Sequence, residues 1–314
     1  MDFFTHVVFG TLVYLLLVNE IPIDYLFLAI FFSILPDLDI LLFPLKRIFK
    51  SKYLEHRGGS HSYIVGIIIS FIVSVFNYFL FHQSFLIVWI IVITFYGLHV
   101  SMDLLTTTKI PYLYPLSKRE NCFNIEKAGS FFTLLNSIVF LIFIIPLYFY
   151  SADISFLWFI INLFTYFFIL YYAYRILSKI WLSKNLSDNQ KFLPGILPFN
   201  FLIYTHEIKG NKISSSVEKK SHFSKKIETI NSDIILKPEE SVLFEYGLDL
   251  CLTNYYFTKW TIFPTIIRNG RIFSVKFFFL ETMMRNKTMY VNFDFDIFSQ
   301  QLIGYNQGSG LIQM

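Results

Sequence analysis

Long apolar runs dominate the N-terminal half of the chain, and short polar clusters separate them. Four runs reach the roughly 20 residues that a membrane-spanning helix requires, at positions 63–81, 85–105, 131–150 and 154–176. Two earlier runs, 7–18 and 21–35, are shorter, so we expect either tilted helices or a hairpin that crosses the bilayer only in part. The pattern predicts an all-α polytopic membrane bundle of about six transmembrane helices over residues 1–184.

The pattern changes after residue 184. Residues 207–232 are rich in Lys and Ser, which is typical of an exposed loop. Short runs of β-branched and aromatic residues suggest antiparallel strands at 241–252, 255–263, 272–281 and 288–295. Asn269-Gly270 between two of them is a strong hairpin signal. We therefore expect a small cytosolic β-rich domain over residues 185–314.

Composition supports a membrane protein, because 55% of the residues are apolar and only 15% are charged. The net charge of +4 is too small to predict a nucleic-acid partner. Cys122 and Cys251 fit neither a disulfide framework nor a thiolate zinc site. The N-terminal segment lacks a basic start and a cleavage pattern, so we expect it to stay in the mature protein.

The distribution of Lys and Arg predicts the orientation. With six passes, the connections at 19–24, 82–84 and 151–153 fall on one side and contain no Lys or Arg. The basic connections at 46–57 and 109–127 and the chain after Arg175 fall on the other side. The positive-inside rule places both termini in the cytoplasm of a multi-pass cell-membrane protein.

Polar clusters in this apolar half contain residue types that bind divalent metals, and ionisable groups near hydrocarbon usually have a function. The candidate ligands are His6, Asp37, Asp39, His56, His61, His99 and Asp103. The predicted topology brings all of them to the cytoplasmic side of the membrane.

Each cluster also has a simpler interpretation. His99 and Asp103 are four residues apart on one helix face, where they would grip a metal or form a buried structural hydrogen bond. Pro36 breaks the helical run before Asp37 and Asp39. Those carboxylates would bind metal, with one acting as a general base, or lie in a solvated turn or helix cap.

Residues 56–62 read His-Arg-Gly-Gly-Ser-His-Ser, and the glycine pair lets two imidazoles approach one centre. Ser60 or Ser62 is expected to cap the next helix. Arg57 matches the geometry of phosphate oxygens, but contact with lipid headgroups would explain it equally well. A single histidine near the N-terminus is usually just exposed, so His6 is a candidate ligand only because the other candidates are present.

Mixed carboxylate and imidazole ligands favour zinc, manganese or iron over calcium or magnesium. Seven candidates are enough for a two-metal site that clamps both oxygens of a phosphoester displacement. A mononuclear site with outer carboxylates is the alternative. We therefore expect one or two divalent metal ions.

These motifs resemble the YdjM/YbcI-type family of membrane-bound metal-dependent hydrolases, also described as LexA-binding inner-membrane proteins. The similar elements are Thr5-His6, Leu35-Pro36-Asp37-Leu38-Asp39, the loop 56–62, and His99 and Asp103 followed by Thr106-Thr107. The match covers roughly residues 1–125, and the 56–62 element is its most specific part. The resemblance implies a metal site more strongly than a particular reaction.

The sequence predicts a metal-dependent hydrolase with its site at the cytoplasmic interface, in contact with membrane lipids. The expected substrate is a lipid or lipid-linked phosphoester, with Asp37, Asp39 and Arg57 as the catalytic candidates. The alternative is a non-catalytic metal-binding transporter or scaffold, although the outer halves of the segments are nearly free of ionisable groups. A third hypothesis makes the β domain a binding module and the metal structural.

Overall fold

A computed structural model describes residues 1–17, 25–42, 54, 56–150, 154–284 and 287–312. The predicted connections at 19–24 and 151–153, and most of the basic connection at 46–57, lie outside these residues. The chain divides into two compact units, Met1–Ser178 and Lys179–Met314. The predicted boundary after residue 184 stays a prediction.

The described elements of the N-terminal half are helical, and turns and loops at 56–62 and 105–130 connect them. Its elements are α1 (Phe3–Leu16), α2 (Leu26–Ile34), a 3₁₀ segment (Leu35–Leu42), α3 (Tyr63–Phe81), α4 (Phe85–Leu104), α5 (Phe131–Tyr150) and α6 (Ile154–Ser183). Among the described residues, three helices are long and apolar enough to cross a membrane: Tyr63–Phe81, Phe85–Leu104 and Ser155–Ser183. Two shorter apolar helices are Phe3–Leu16 and Phe131–Ile144.

The first two helices are short for a full crossing. At 1.5 Å per residue, the 14 residues of α1 extend about 21 Å and the 9 residues of α2 about 14 Å. The hydrocarbon core is about 30 Å thick. The α-helical geometry of α2 gives way to the 3₁₀ segment that holds Pro36, which has no backbone N–H for an intrahelical bond.

Helices α1, α2 and α4 form the packed core of the first unit, and α3 lies against α4. Gly10 permits a close approach of α1 and α2, because a Cβ at Gly10 would lie 2.5 Å from Ser33 Oγ. Gly66 does the same for α3 and α4, since its Cβ would lie 2.5 Å from the Tyr96 ring. These contacts fix the ends of α2 and α4, where the ionisable residues lie.

The second unit contains two four-stranded antiparallel sheets, in the orders β1-β2-β3-β4 and β5-β6-β7-β8. The strands and helices are β1 (Gln190–Pro194), β2 (Asn200–Lys209), β3 (Lys212–Ser221), β4 (Ser224–Ile235), α7 (Pro238–Thr253), α8 (Tyr255–Thr258), β5 (Ile262–Asn269), β6 (Ile272–Phe279), β7 (Lys287–Asp296) and β8 (Leu302–Leu311). The predicted β-rich domain is present, and Asn269 and Gly270 lie at the turn of the β5–β6 hairpin as predicted.

Three local predictions in this unit are wrong. The strand predicted at 255–263 is mostly helix α8 and a turn, and only its end belongs to β5, which begins at Ile262. Residues 207–232 belong mostly to β2, β3 and β4, because Ile213 and Val217 are buried while the Lys and Ser residues lie mostly on partly or fully exposed faces. Residues 241–252 lie in helix α7, not in a strand. Pro238 occupies its first turn, and Glu240 accepts the Lys237 backbone N–H at 2.9 Å, which caps the helix start.

Candidate metal centre

The local structure directs the candidate residues toward one end of the first unit. His6 lies in the first turns of α1, and Asp37 and Asp39 lie in the 3₁₀ segment. His61 lies directly before the start of α3, and the last turns of α4 supply His99 and Asp103. Separate polar clusters thus meet because the helices that carry them pack together.

Four of the candidates form a tight group, with one ligand atom from each of Asp37, His61, His99 and Asp103 within 4.8 Å of the others. His61 Nε2 lies 3.1 Å from Asp103 Oδ2 and 3.4 Å from Asp37 Oδ1. The Nε2 atoms of His61 and His99 are 3.2 Å apart. We call these four residues the Asp–His centre; its His61, His99 and Asp103 are buried, and the Asp37 side chain is 12% exposed.

His6 borders this centre. Its ring stacks on His99 with centroids 3.8 Å apart, and its Nε2 lies 3.4 Å from Asp103 Oδ1 and 3.9 Å from Asp37 Oδ2. The amino nitrogen of Met1 also contacts Asp103 Oδ1. His6 is therefore placed to act as an additional ligand or as a neighbour that shields the centre.

The His99 ring has a defined orientation. Its Nδ1 lies 2.8 Å from the Ser33 carbonyl oxygen, which accepts and cannot donate. Nδ1 therefore carries the proton, and the Nε2 lone pair points at His61 and the two carboxylates. A neutral imidazole with Nδ1 bound to a carbonyl is the usual form of a metal-ligating histidine.

Asp39 and His56 form a second group beside the centre. Asp39 Oδ1 lies 2.7 Å from His56 Nδ1, and Asp39 Oδ2 accepts the Ser60 hydroxyl at 2.6 Å and the Arg57 backbone N–H at 3.0 Å. Burial alone would raise the pKa of Asp39, but hydrogen bonds with His56, His61 and Ser60 lower it below the usual aspartate range. The His56 side chain is 36% exposed, so this group reaches the surface.

Arg57 links the two groups. Its Nε lies 3.5 Å from Asp103 Oδ2, and its Nη2 donates to the Met1 carbonyl at 2.8 Å. Its backbone φ of 60° lies in the left-handed region, which is unfavourable for a side chain of this size and is common at functional sites. The strained turn presents the Arg57 N–H to Asp39 and the guanidinium to the centre.

The Asp–His centre fits a divalent cation. His6 Nε2, Asp37 Oδ1 and both carboxylate oxygens of Asp103 are buried and make no hydrogen bond within the described part of the chain. Buried carboxylate oxygens without donors are costly, and a cation between them removes that cost. Imidazole nitrogen and carboxylate oxygen are a donor set that zinc, manganese and iron accept.

Three residues that support the centre are outside the predicted ligand set. The Ser33 carbonyl orients His99, the Ser60 hydroxyl lies 3.1 Å from His61 Nδ1, and the Tyr96 hydroxyl donates to the Ser60 carbonyl. The helix-capping role predicted for Ser60 or Ser62 belongs to Ser62, whose Oγ accepts the Ile64 N–H at 3.2 Å. Tyr96 precedes His99 by three residues on α4, a helical spacing that the sequence already contained.

Comparison with known proteins identifies one relationship for the helical part of the chain. The model of a family described as YdjM inner membrane protein matches residues 1–178, more than half of the chain. No curated protein and no solved structure matches. The matched region contains every residue of the Asp–His centre and every candidate ligand.

Proposed function

This chain belongs to the YdjM inner membrane protein family, and from that membership and its Asp–His centre we propose that it is a membrane-embedded, metal-dependent hydrolase. The family name and the apolar helices indicate a membrane location. The observation that carries the proposal is the convergence of two buried imidazole nitrogens and two carboxylates whose facing oxygens accept no hydrogen bond from the described residues.

The four residues of the Asp–His centre would hold the cation, with His6 as a further ligand. A divalent cation there would stabilise the negative charge that develops in the transition state and favour ionisation of water near neutral pH. The centre supplies two carboxylates that attract a cation, Asp37 and Asp103, in a site where burial strengthens electrostatic interactions. One metal is sufficient for this set of ligands.

The proposed reaction is hydrolysis of a phosphoester. Water oxygen forms the new P–O bond, and the P–O bond to the leaving group breaks. Asp37 accepts the proton that water loses, and the leaving oxygen takes up that proton to give the alcohol. Arg57, with its guanidinium beside Asp103, offsets negative charge on the phosphoryl oxygens.

A lipid or lipid-linked substrate is favoured by the surface beside the centre. Ile40 and Leu41, in the same 3₁₀ segment as Asp37, are 65% and 71% exposed, and Phe3 and Phe4 near His6 are each 44% exposed. Exposed apolar side chains next to a polar site suit a substrate whose headgroup enters the site while its chains stay in the membrane. We propose that other membrane lipids surround the helices without entering the centre.

The test is metal content and turnover of the detergent-purified full chain. We expect one or two zinc, manganese or iron ions per chain by mass spectrometry, and hydrolysis of a phospholipid panel in preference to soluble phosphomonoesters. His61→Ala and Asp103→Asn should lose the metal and at least about 100-fold of the turnover, because each removes a ligand. His82→Ala, an exposed histidine outside the centre, should behave like wild type.

Metal binding without turnover on any phosphoester would overturn the hydrolase and favour the non-catalytic scaffold or transporter. An absence of bound metal after purification without chelators would overturn the centre itself.

We also propose six membrane passes with both termini in the cytoplasm, supported by the separation of Lys and Arg residues between alternate connections. In a chain with Cys122 and Cys251 replaced, an impermeant maleimide applied to intact cells should label Gln83→Cys. Lys118→Cys should react only after permeabilisation. The reverse pattern would contradict the orientation, and labelling of both in intact cells would contradict the number of passes between them.

A further inference from the structure

We propose that Asp39 and Ser60 are positioning residues that fix the metal-binding form of His61, and that Asp39 is not itself a metal ligand. The inference rests on the proposed metal centre and divides the predicted ligand set into groups with different roles. Its basis is the direction of the hydrogen bonds on the far side of the His61 ring.

The first step concerns the single proton of the Ser60 hydroxyl. Ser60 Oγ lies 2.6 Å from Asp39 Oδ2, and an ionised carboxylate only accepts hydrogen bonds. The hydroxyl proton therefore points at Asp39. The other side of Ser60 Oγ carries only lone pairs, and this atom lies 3.1 Å from His61 Nδ1.

The second step fixes the His61 tautomer. Because Ser60 Oγ has no second proton to give, His61 Nδ1 must donate to it, and Nδ1 must carry the imidazole proton. The Nε2 atom of neutral His61 then has its lone pair directed at Asp37, His99 and Asp103. His99 reaches the same form through the Ser33 carbonyl, so two Nε2 lone pairs face each other across 3.2 Å. That arrangement is repulsive until a cation lies between them.

The third step separates Asp39 from Asp37 and Asp103. Asp39 faces four donors: the Ser60 hydroxyl, the Arg57 N–H, His56 Nδ1 and, at 3.4 Å, His61 Nδ1. Asp37 Oδ1 and both oxygens of Asp103 make no hydrogen bond with the described residues, and these two carboxylates join the tight ligand group. The oxygens of Asp39 already accept hydrogen bonds from the loop 56–62, and these bonds hold the loop in its conformation.

The backbone of Ser60 is fixed independently of its side chain. The Tyr96 hydroxyl, on the helix that also carries His99, donates to the Ser60 carbonyl. Ser60 thus connects the loop to α4 through its carbonyl oxygen, and connects Asp39 to His61 through its hydroxyl. Outer hydrogen bonds of this kind set ring orientation and tautomer in metal sites and change metal affinity by about 10–100-fold.

The test is Co²⁺ titration of the full-length, detergent-purified and metal-stripped chain, monitored by visible absorption. We expect Ser60→Ala and Asp39→Asn to bind Co²⁺ about 10–100-fold more weakly than wild type and with an altered d–d spectrum, because His61 is released from its fixed tautomer. Ser60→Thr keeps the hydroxyl and should restore affinity and spectrum. Ser74→Ala removes a buried hydroxyl that donates to the Ser70 carbonyl within α3, away from the Asp–His centre, and should match wild type.

The outcomes are distinct. Complete loss of Co²⁺ in Asp39→Asn, equal to that in Asp103→Asn, would make Asp39 a ligand and overturn the proposal. A wild-type affinity and spectrum in Ser60→Ala would overturn it as well. A fall in melting temperature of the metal-free protein, with the Co²⁺ spectrum unchanged, would make the network purely structural. A wild-type chain that binds no Co²⁺ would instead refute the metal centre on which the inference rests.

Discussion

Two buried carboxylates, one in each unit, are treated in opposite ways by their surroundings. Glu240 in the second unit accepts hydrogen bonds from Arg268 Nε at 2.7 Å, from Arg268 Nη2 at 2.8 Å and from the Lys237 N–H at 2.9 Å. Asp103 in the first unit has the Met1 nitrogen and Arg57 nearby, yet neither of its oxygens makes a hydrogen bond in the described chain. Burial alone therefore does not identify a functional carboxylate; buried oxygens that accept no hydrogen bond from the described residues do.

The physical reason is the cost of desolvation. A buried charge loses its hydration and stabilises the fold only if the protein replaces the lost hydrogen bonds. Glu240 has that replacement and holds a helix start against β5. Asp103 has positive charges nearby but no hydrogen bond from the described residues, so a bound cation would stabilise it further. Neutralising Asp103 in one variant and Glu240 in another, and measuring metal affinity and stability in both, tests this difference.

The largest expected effect is that of Asp103→Asn on metal affinity. We expect Co²⁺ affinity to fall by more than about 100-fold, because a direct ligand is lost and no other group can replace its charge. In the presence of EDTA the melting temperature should change much less than the Co²⁺ affinity does, because the charges of the Met1 nitrogen and Arg57 already lie beside Asp103 without a hydrogen bond to it. A fall in melting temperature in EDTA as large as that of Glu240→Gln would mean that Asp103 is satisfied structurally, as Glu240 is.

The opposite change is Glu240→Gln, which should leave Co²⁺ binding unchanged and lower the free energy of unfolding by about 1–3 kcal/mol. The matched control is Glu245→Gln on the same helix, where the exposed side chain should contribute less than about 0.5 kcal/mol. Denaturant titration of the full chain, monitored by a probe in the second unit, measures both. Equal stability of the two variants would contradict the structural role of the Glu240–Arg268 pair.

The same pair predicts a pH dependence. The hydrogen bond with Arg268 lowers the pKa of Glu240 in the folded chain, although burial opposes the shift. A depressed carboxyl pKa contributes stability that is fully present above the unfolded value, about 4.3, and is lost as the pH falls through the lower folded value. Wild type should therefore lose more stability than Glu240→Gln when the pH is taken below about 4.3. If the stability of the two proteins falls in parallel as the pH is lowered, the depressed pKa of Glu240 does not contribute to stability.

Features that depend on long stretches of composition could be predicted from the sequence. The bounds of α3 and α4 are visible as apolar runs because a span must be apolar along its whole length. The ionisable residues of the Asp–His centre can be recognised for the same reason, since charged groups beside membrane-spanning segments are energetically costly and usually functional. Helix α7 was missed because its short apolar run fits either period, and the capping glutamate that decides the matter is a local contact.

The different roles of Asp37 and Asp39 could not be predicted from the sequence. The two residues have the same chemistry and are two positions apart, and only the folded loop shows that Ser60 donates to one of them. The left-handed conformation of Arg57, which directs its N–H at Asp39, is likewise set by tertiary contacts. Sequence patterns identify which residue types are available, whereas hydrogen-bond direction decides which of them stay available to a metal.

The smallest predicted effect tests whether packing distant from the ligands maintains the centre. In Gly66→Ala the new methyl group would lie 2.5 Å from the Tyr96 ring, so Tyr96 must shift and its hydroxyl bond to the Ser60 carbonyl must weaken. We expect a loss of Co²⁺ affinity of about 3–10-fold. Gly97→Ala is the control, because its methyl group would lie 3.9 Å from the Tyr63 ring, an ordinary contact. If both variants bind Co²⁺ as wild type does, the Tyr96 contact is dispensable, and Asp39 and the Ser60 hydroxyl alone must hold His61 in place.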